Sequence, residues 1–224
     1  MNQAREAFAK AERVLVLTGA GVSAASGIPT FRGAGGFYRE RRAEDLASMD
    51  GFTRDPRLVW EWYDYRRQLI AKARPNPAHT AIGSWQHKDR VIVTQNVDDL
   101  HERGGAHDVV HVHGSIWRTR CFSGCAPRDD YRVPMPEIPP RCDRCDALLR
   151  PDVVWFGEML PTDALNRVGT ELRRGFDLTI VAGTEAVFGY IQNWAALSKR
   201  AGALLIEVNP HATPLSPMAD LILR

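Results

Sequence analysis

The chain has 224 residues and four cysteines, and its 29 basic and 27 acidic side chains leave a formal charge of +2. That length buries a substantial core, and the near balance of charge argues against a nucleic-acid binder. No apolar run approaches the roughly 18 residues of a membrane span, and the charged, helix-like segment Met1–Glu12 has no apolar signal core, so a soluble, cytoplasmic protein is expected.

The first strong element is the apolar, β-branched run Val14–Leu17, which stops abruptly at Thr18-Gly19-Ala20-Gly21. A buried strand that turns into a helix through glycines lets backbone N–H groups approach a phosphate. Gly19, Gly21 and Ala24 satisfy the G-x-G-x-x-G/A spacing of dinucleotide-binding turns, although a tight strand–helix turn without a ligand satisfies it too. The usual companion, an acidic residue about 20 positions on at the end of a second strand, is missing. That region, Phe37-Tyr38-Arg39-Glu40-Arg41-Arg42, reads as no strand, so a bound ribose must be held by something else.

Phe37–His79 is rich in arginine and aromatics and reads as helical. Asp55-Pro56 starts a helix through Trp60, Trp62, Tyr63 and Leu69, and Pro75-Asn76-Pro77 ends it. Tyr63 and Arg66, three apart, share a face of that helix. On spacing alone this is a solvated face, because Asp64 and Arg67 are adjacent and charged.

Short apolar runs then recur, each ending in small or polar residues. Val91–Val93 precedes Thr94-Gln95-Asn96-Val97-Asp98, and Val109–Val112 precedes His113-Gly114. Leu178–Ala182 precedes Gly183-Thr184-Glu185, Leu204–Ile206 precedes Glu207-Val208-Asn209, and Leu221–Leu223 closes the chain. Helical segments such as Thr162–Arg174 and Ile191–Ala201 fit between them. This is the pattern of an α/β fold with an open, doubly wound parallel sheet, whose ligands bind outside the carboxyl ends of the strands. Gln95, Asn96, Asp98, His113, Thr184, Glu185 and Asn209 all fall at such ends. His113 is the candidate base, since a neutral imidazole can accept a proton from a ribose hydroxyl, and it shares a strand face with His111. Asn96 and Asp98 either bond ribose hydroxyls and a carboxamide or cap the helix that begins near Asp99. His101 reads as a surface residue.

All four cysteines lie in a segment of about 117–152 that also carries prolines at 134, 136, 139 and 140. The pattern Cys121-x3-Cys125-x16-Cys142-x2-Cys145 suits a tetrahedral zinc site, and without a secretion signal disulfides are the poorer reading. A closed site of four thiolates is structural and does no chemistry. The expected organisation is a large domain from 1–36, 79–116 and 153–224, with 37–78 and 117–152 inserted as a small helical and zinc-binding module. The cleft between the two is the natural ligand site.

In chain order, GAGVSAASGIPTFRG (19–33), TQNVD (94–98), HVHG (111–114), the two cysteine pairs and VVWFGE (153–158) resemble the sirtuin family of NAD-dependent protein lysine deacylases. The resemblance covers nearly the whole chain. It implies a Rossmann-like large domain, one structural zinc in the small domain, and NAD consumed as a co-substrate. In that chemistry the acyl-lysine carbonyl oxygen attacks C1′ of the nicotinamide ribose, nicotinamide leaves and an imidate forms. The residue matching His113 deprotonates a ribose hydroxyl that then attacks the imidate, giving free lysine and O-acyl-ADP-ribose. Ala20, Ile28, Phe31, Arg32, Gln95, Asn96 and Asp98 match cofactor-pocket positions. They join Gly19, Gly21, Gly183, Thr184, Glu185 and Asn209 from the strand ends, with His113 and Asn96 as catalytic residues. Val154, Trp155, Phe156, Gly157 and Glu158 match a strip that pairs with the substrate backbone by strand addition, so the partners implied are acylated lysines of proteins.

Three departures stand out. Gly183-Thr184-Glu185 replaces the family's Gly-Thr-Ser, Ala186-Val187-Phe188-Gly189-Tyr190 replaces a proline-containing run, and Ala25 replaces a common acid. The Glu185 carboxylate either repels a pyrophosphate, by about 1–4 kcal/mol at about 4 Å, or accepts from a ribose hydroxyl. Finally, Tyr63-x-x-Arg66 within WEWYDYRR resembles the subgroup that removes acidic acyl groups, succinyl and malonyl. Arginine forks two bonds to a carboxylate and tyrosine adds a third, so a desuccinylase and demalonylase with weaker deacetylase activity is expected. Two rival readings remain: an NAD-cleaving ADP-ribosyltransferase or NAD hydrolase, and a zinc-containing binding module with a degraded cofactor site.

Overall fold

The computed structural model describes residues 2–30, 37–38, 41–85 and 88–224. The chain opens with α1 (Asn2–Lys10), β1 (Arg13–Thr18) and the short α2 (Gly21–Ala24). A two-residue antiparallel pair, β2 (Phe37–Tyr38) and β3 (Arg41–Arg42), precedes α3 (Ala43–Leu46), α4 (Met49–Arg54), α5 (Pro56–Lys72) and α6 (Pro77–Ser84). Next come β4 (Asp89–Thr94), α7 (Leu100–Arg103), β5 (Val109–His111), β6 (Gly114–Cys121), β7 (Arg128–Asp129) and β8 (Leu149–Val153). The chain ends with α8 (Thr162–Arg174), β9 (Leu178–Ala182), α9 (Gly189–Arg200), β10 (Leu204–Val208) and β11 (Leu221–Leu223).

Six strands form one parallel sheet in the order β11-β10-β9-β1-β4-β5. The chain therefore builds outward from β1 in one direction and later returns to build outward on its other side. This makes β1 and β9 the switch point, where open α/β sheets bind ligands. The register brings the strand ends level: Thr18 of β1 pairs with Thr94 of β4 and with Ala182 of β9. Alternation along β1 sends Leu15 and Leu17 to a core shared with Val168, Ile191 and Trp194 of α8 and α9. Val14 and Val16 go to the opposite core, with Ile92, Ile206 and Ile82 of α6.

A third core lies beside the sheet. Residues of α5 (Val59, Trp60, Trp62, Tyr63 and Ile70) pack there on Ile116, Trp117, Leu149, Val153 and Trp155. Helix α5 starts as expected, with Asp55 accepting from Leu58 N at 2.9 Å and Pro56 at the first position. The Pro75-Asn76-Pro77 stop also works as a start, because Asn76 accepts from Ala78 N at 2.9 Å and opens α6. Trp60 is fully buried and its indole N–H donates to Leu149 O at 2.7 Å.

Two sequence expectations need correcting here. Phe37–Tyr38 and Arg41–Arg42 do form strand, the β2–β3 pair, but among the described residues that pair stands apart from the parallel sheet and is not a second parallel strand. The cysteine segment is framed by a three-stranded antiparallel sheet, β7-β6-β8. The buried arginine and proline of β8, Leu-Arg-Pro-Asp-Val, hide this strand from any hydrophobic pattern. Among the described residues, no helix is long and apolar enough to cross a membrane.

Candidate active site

The loops after β1, β4 and β9 meet at the switch point, and glycine makes the meeting possible. A Cβ on Gly19 would lie 2.7 Å from the Thr184 side chain, and one on Gly21 would lie 2.8 Å from Gly183 O. Gly183 itself has φ +60° and would drive a Cβ to 2.4 Å from Val22 N. The turn's N–H groups are largely committed within the chain: Gly19 N to Ala182 O, Gly21 N to Gly183 O, Val22 N to Gly19 O and Ser23 N to Ala20 O. The glycines thus permit the close crossing of two turns at the mouth of the site.

Under this turn runs a buried polar network. Ser23 Oγ donates to Asp98 Oδ2 at 3.0 Å, accepts from Asn96 Nδ2 at 3.1 Å and lies 3.3 Å from His79 Nε2. Asp98 Oδ1 accepts from Leu100 N at 3.0 Å. Asp98 thus bonds the first N–H of α7 from one residue outside the cap position, which Asp99 holds without a side-chain cap bond. Burial pushes the Asp98 carboxyl above its ordinary range, against the Leu100 N–H and the Ser23 hydroxyl. His101 is not a surface residue. It is 1% exposed, with Nε2 3.0 Å from Thr18 Oγ1, because α7 tucks beneath the ends of β1 and β4. Burial, then the neighbouring His79, lowers its pKa to about 4.

Strand β5 stops at His111, one residue earlier than expected, and the two histidines diverge. His111 Nδ1 bonds Asn96 O at 3.0 Å and its Nε2 bonds Glu102 at 2.6 Å. His113 Nδ1 bonds Gln95 O at 2.9 Å, and its Nε2 lies 2.5 Å from the Tyr190 hydroxyl. Burial lowers the His113 pKa to about 4, against the Gln95 carbonyl, so the ring is neutral at working pH. Gln95 Nε2 donates to Thr184 Oγ1 at 2.8 Å, and Asn209 Nδ2 donates to Thr184 O at 2.8 Å. These bonds lock the ends of β4, β9 and β10 together.

One cavity of about 680 Å³ collects these groups, a volume typical of a small-molecule site. Its wall includes Gly19, Ala20, Gly21, Ile28, Gln95, Asn96, Asp98, His113, Gly183, Thr184, Glu185 and Asn209. Tyr63, Arg66 and Val154–Glu158 line the same cavity. Phe31 and Arg32 lie outside the described residues. Ser23, Phe188 and Tyr190 also line it and were missed by sequence reasoning, since each meets its partner far along the chain: Asp98 for Ser23, and His113 for Phe188 and Tyr190.

Arg66 sits with its guanidinium 5.0 Å from the Trp62 ring centre and 5.7 Å from that of Tyr63. The Tyr63 hydroxyl accepts from Trp155 Nε1 at 2.9 Å, which leaves its own proton for another acceptor. Burial pushes the Tyr63 phenol up to about 12, with Arg66 pulling the other way. The 154–158 strip is anchored on its inner side. Val154 N donates to His113 O and Phe156 N to Ala47 O, each at 2.9 Å. Glu158 accepts from Trp155 N at 2.8 Å and pairs with Arg150 at 2.6 Å.

Outside the cavity, the four cysteine sulfurs lie within 4.8 Å of one another. Cys145 Sγ is 3.5 Å from Cys121 Sγ and 3.6 Å from Cys125 Sγ. Thiolates at about 2.3 Å around a tetrahedral zinc stand about 3.8 Å apart, so Cys121, Cys125, Cys142 and Cys145 fit that ion. Asp64 Oδ1 accepts from Met135 N at 2.7 Å, and the wholly buried Arg67 donates to Ile116 O at 2.9 Å and lies 3.6 Å from Asp130. These contacts tie the cysteine segment to α5.

Residues 19–189 match the Sir2 family. The chain is 48% identical over 210 residues to an NAD-dependent protein deacylase of Aquifex aeolicus, covering 93% of this chain and 87% of that protein. It is 43% identical over 238 residues to the mitochondrial NAD-dependent protein deacylase sirtuin-5 of Danio rerio, covering 94% and 78%. Among solved structures, a Sir2 homolog–NAD complex superposes with a TM-score of 0.94 at 44% identity, covering 100% of this chain and 88% of that one.

Proposed function

The chain belongs to the Sir2 family, and from that premise we propose that it is an NAD-dependent protein deacylase whose preferred acyl groups end in a carboxylate. The observation that carries the reading is a single cavity at the sheet's switch point. It holds a neutral, backbone-oriented His113 together with Tyr63 and Arg66. NAD, when bound, supplies an electrophilic ribose carbon and a leaving nicotinamide. The turns at Gly19–Gly21 and Gly183–Glu185, with Asn209, would hold it, and Ser23 fixes the Asn96 and Asp98 side chains for that end of the site.

The chain's own part is positioning and proton transfer. Gln95 O holds the His113 ring by Nδ1, so Nε2 is the basic atom. A general base of this kind contributes roughly 10²–10⁴-fold. The strip at Val154–Glu158 would take up the substrate backbone, and an acyl chain entering beside it meets Tyr63 and Arg66. The cysteine cluster would hold one structural zinc. Two separate apolar cores, around the parallel sheet and around α5 with β6 and β8, support the division into a large domain and an inserted small module.

Nicotinamide release, followed with and without a succinyl-lysine peptide, tests the reading. Release that depends on the peptide is expected. Release that ignores the peptide would mean an NAD hydrolase, and no release would mean a binding protein.

A further inference from the structure

His113 has one basic lone pair, and another side chain holds it. A carbonyl only accepts, so the 2.9 Å contact with Gln95 O puts the ring proton on Nδ1 and leaves Nε2 bare. The Tyr190 hydroxyl, 2.5 Å away, must therefore donate to Nε2. Burial pushes the Tyr190 phenol above its ordinary range and holds His113 down to about 4. Both are neutral at working pH, and the O–H···N bond persists there.

Tyr190 is not placed to swing aside. It lies on the first turn of α9, with its ring stacked on Phe188 at 5.6 Å and 10° and leaning on Trp194 at 5.1 Å. Phe188 and Tyr190 belong to the run that departs from the family's proline-containing sequence. A neutral imidazole nitrogen accepts one strong hydrogen bond. A ribose hydroxyl can reach that lone pair only through the Tyr190 oxygen or after Tyr190 has left both ring contacts. The phenol oxygen keeps lone pairs with which to accept while it donates, so the first route needs no rearrangement.

We propose that Tyr190 is a further catalytic residue, relaying the proton from the ribose hydroxyl to His113. As the ribose O–H bond breaks, its proton bonds to Tyr190 Oη, while the phenol's original proton leaves for His113 Nε2. The phenol ends neutral and the imidazole cationic. The ribose oxygen keeps the electron pair with which it attacks the acyl carbon. This deepens the deacylase reading and rests on it.

The test is Tyr190→Phe, which keeps the ring packing and removes only the hydroxyl. In the unliganded variant the His113 pKa, followed by NMR, should rise by about one unit, because a donor to the neutral ring is gone. Exchange of labelled nicotinamide, which reports the step before the base is needed, should stay within about threefold of wild type. Deacylated product should fall on the order of 10²-fold. An unmoved His113 pKa would mean the hydrogen bond is absent and would overturn the relay. Deacylation equal to or faster than wild type would also overturn it, showing Tyr190 to be a bystander or a block on the base. So would an equal fall in exchange and deacylation, which would place its role before proton transfer. Wild-type protein that releases no nicotinamide on acyl peptide would instead sink the deacylase reading, and the relay with it.

Discussion

Replacing Arg66 by Met keeps the length and apolar stem of the side chain and removes its charge and fork. In the wild type, Arg66 and Tyr63 line the cavity side by side. Tyr63 keeps a proton to donate, because its oxygen lone pair is engaged by Trp155 Nε1. Burial lowers the Arg66 pKa, with Tyr63 and Asp98 opposing, but a guanidinium remains charged in proteins. A succinyl carboxylate would accept two bonds from that fork. At about 1.5–3 kcal/mol per charge-assisted bond, their loss is about 3–6 kcal/mol. With 1.36 kcal/mol per decade, kcat/KM for succinyl-lysine should fall on the order of 10²–10⁴-fold. Acetyl-lysine brings no carboxylate, so its kcat/KM should change by less than about tenfold, mostly through altered packing of the stem. The assay is kcat/KM on two peptides that differ only in the acyl group, with wild type, Arg66→Met and Arg66→Lys. The lysine variant keeps the charge without the planar fork and should fall between the other two on succinyl-lysine. Equal losses on both peptides, or a wild-type preference for acetyl, would refute the acid-binding assignment.

Freshly purified protein should carry one zinc per chain. Cys142→Ala should lower the melting temperature, and a variant that loses the metal without any loss of stability would argue against a structural site. Because Asp64 and Arg67 bind the cysteine segment to α5, stripping the zinc should also narrow the ratio of succinyl to acetyl kcat/KM; an unchanged ratio would separate the two parts. Glu185→Ser should tighten NAD binding, measured calorimetrically, if phosphate repulsion dominates, and weaken it if the carboxylate accepts from a ribose hydroxyl. No change would mean the side chain turns away from the cofactor. The buried His101 makes the fold acid-sensitive. The folded pKa of His101, about 4, lies below its ordinary 6.5, so the unfolded chain binds more protons between these values. The stability is fully present above pH 6.5 and drains away as pH falls toward 4, by about 2 kcal/mol for this group at pH 5. In urea melts, His101→Asn should lose less stability than wild type between pH 7.5 and pH 5, and identical losses would refute the assignment.

What was legible in the chain follows the range of the interactions involved. Leu178–Ala182, Leu221–Leu223, Thr162–Arg174 and the start of α5 at Pro56 lie where local pattern places them. Each rests on a contiguous apolar run or on a cap and proline within a few residues. The cysteine cluster is legible for a related reason, since one ion needs a fixed set of ligand types and close pairs announce it. By contrast, β6 and β8 carry Arg118, Arg120, Arg150 and Pro151, and a register shift between Ser115 and Thr119 breaks the alternation a strand would show. His101 sits in a helix of four residues, too short to have a periodic face, so only tertiary packing decides which way it points. The same limit governs the glycines: their spacing marks a sharp turn, but whether the space they leave serves a phosphate or another stretch of chain depends on Gly183, more than 160 residues away. Tyr190 is a further case, 77 positions from His113 and on the opposite half of the sheet. The winding that brings strand ends to one switch point makes the cavity, and it also brings to His113 a partner that no local pattern could pair with it. Departures from a family's sequence near such a point, like the run from Glu185 to Tyr190, are therefore where a chain can alter proton handling while every strand stays in place.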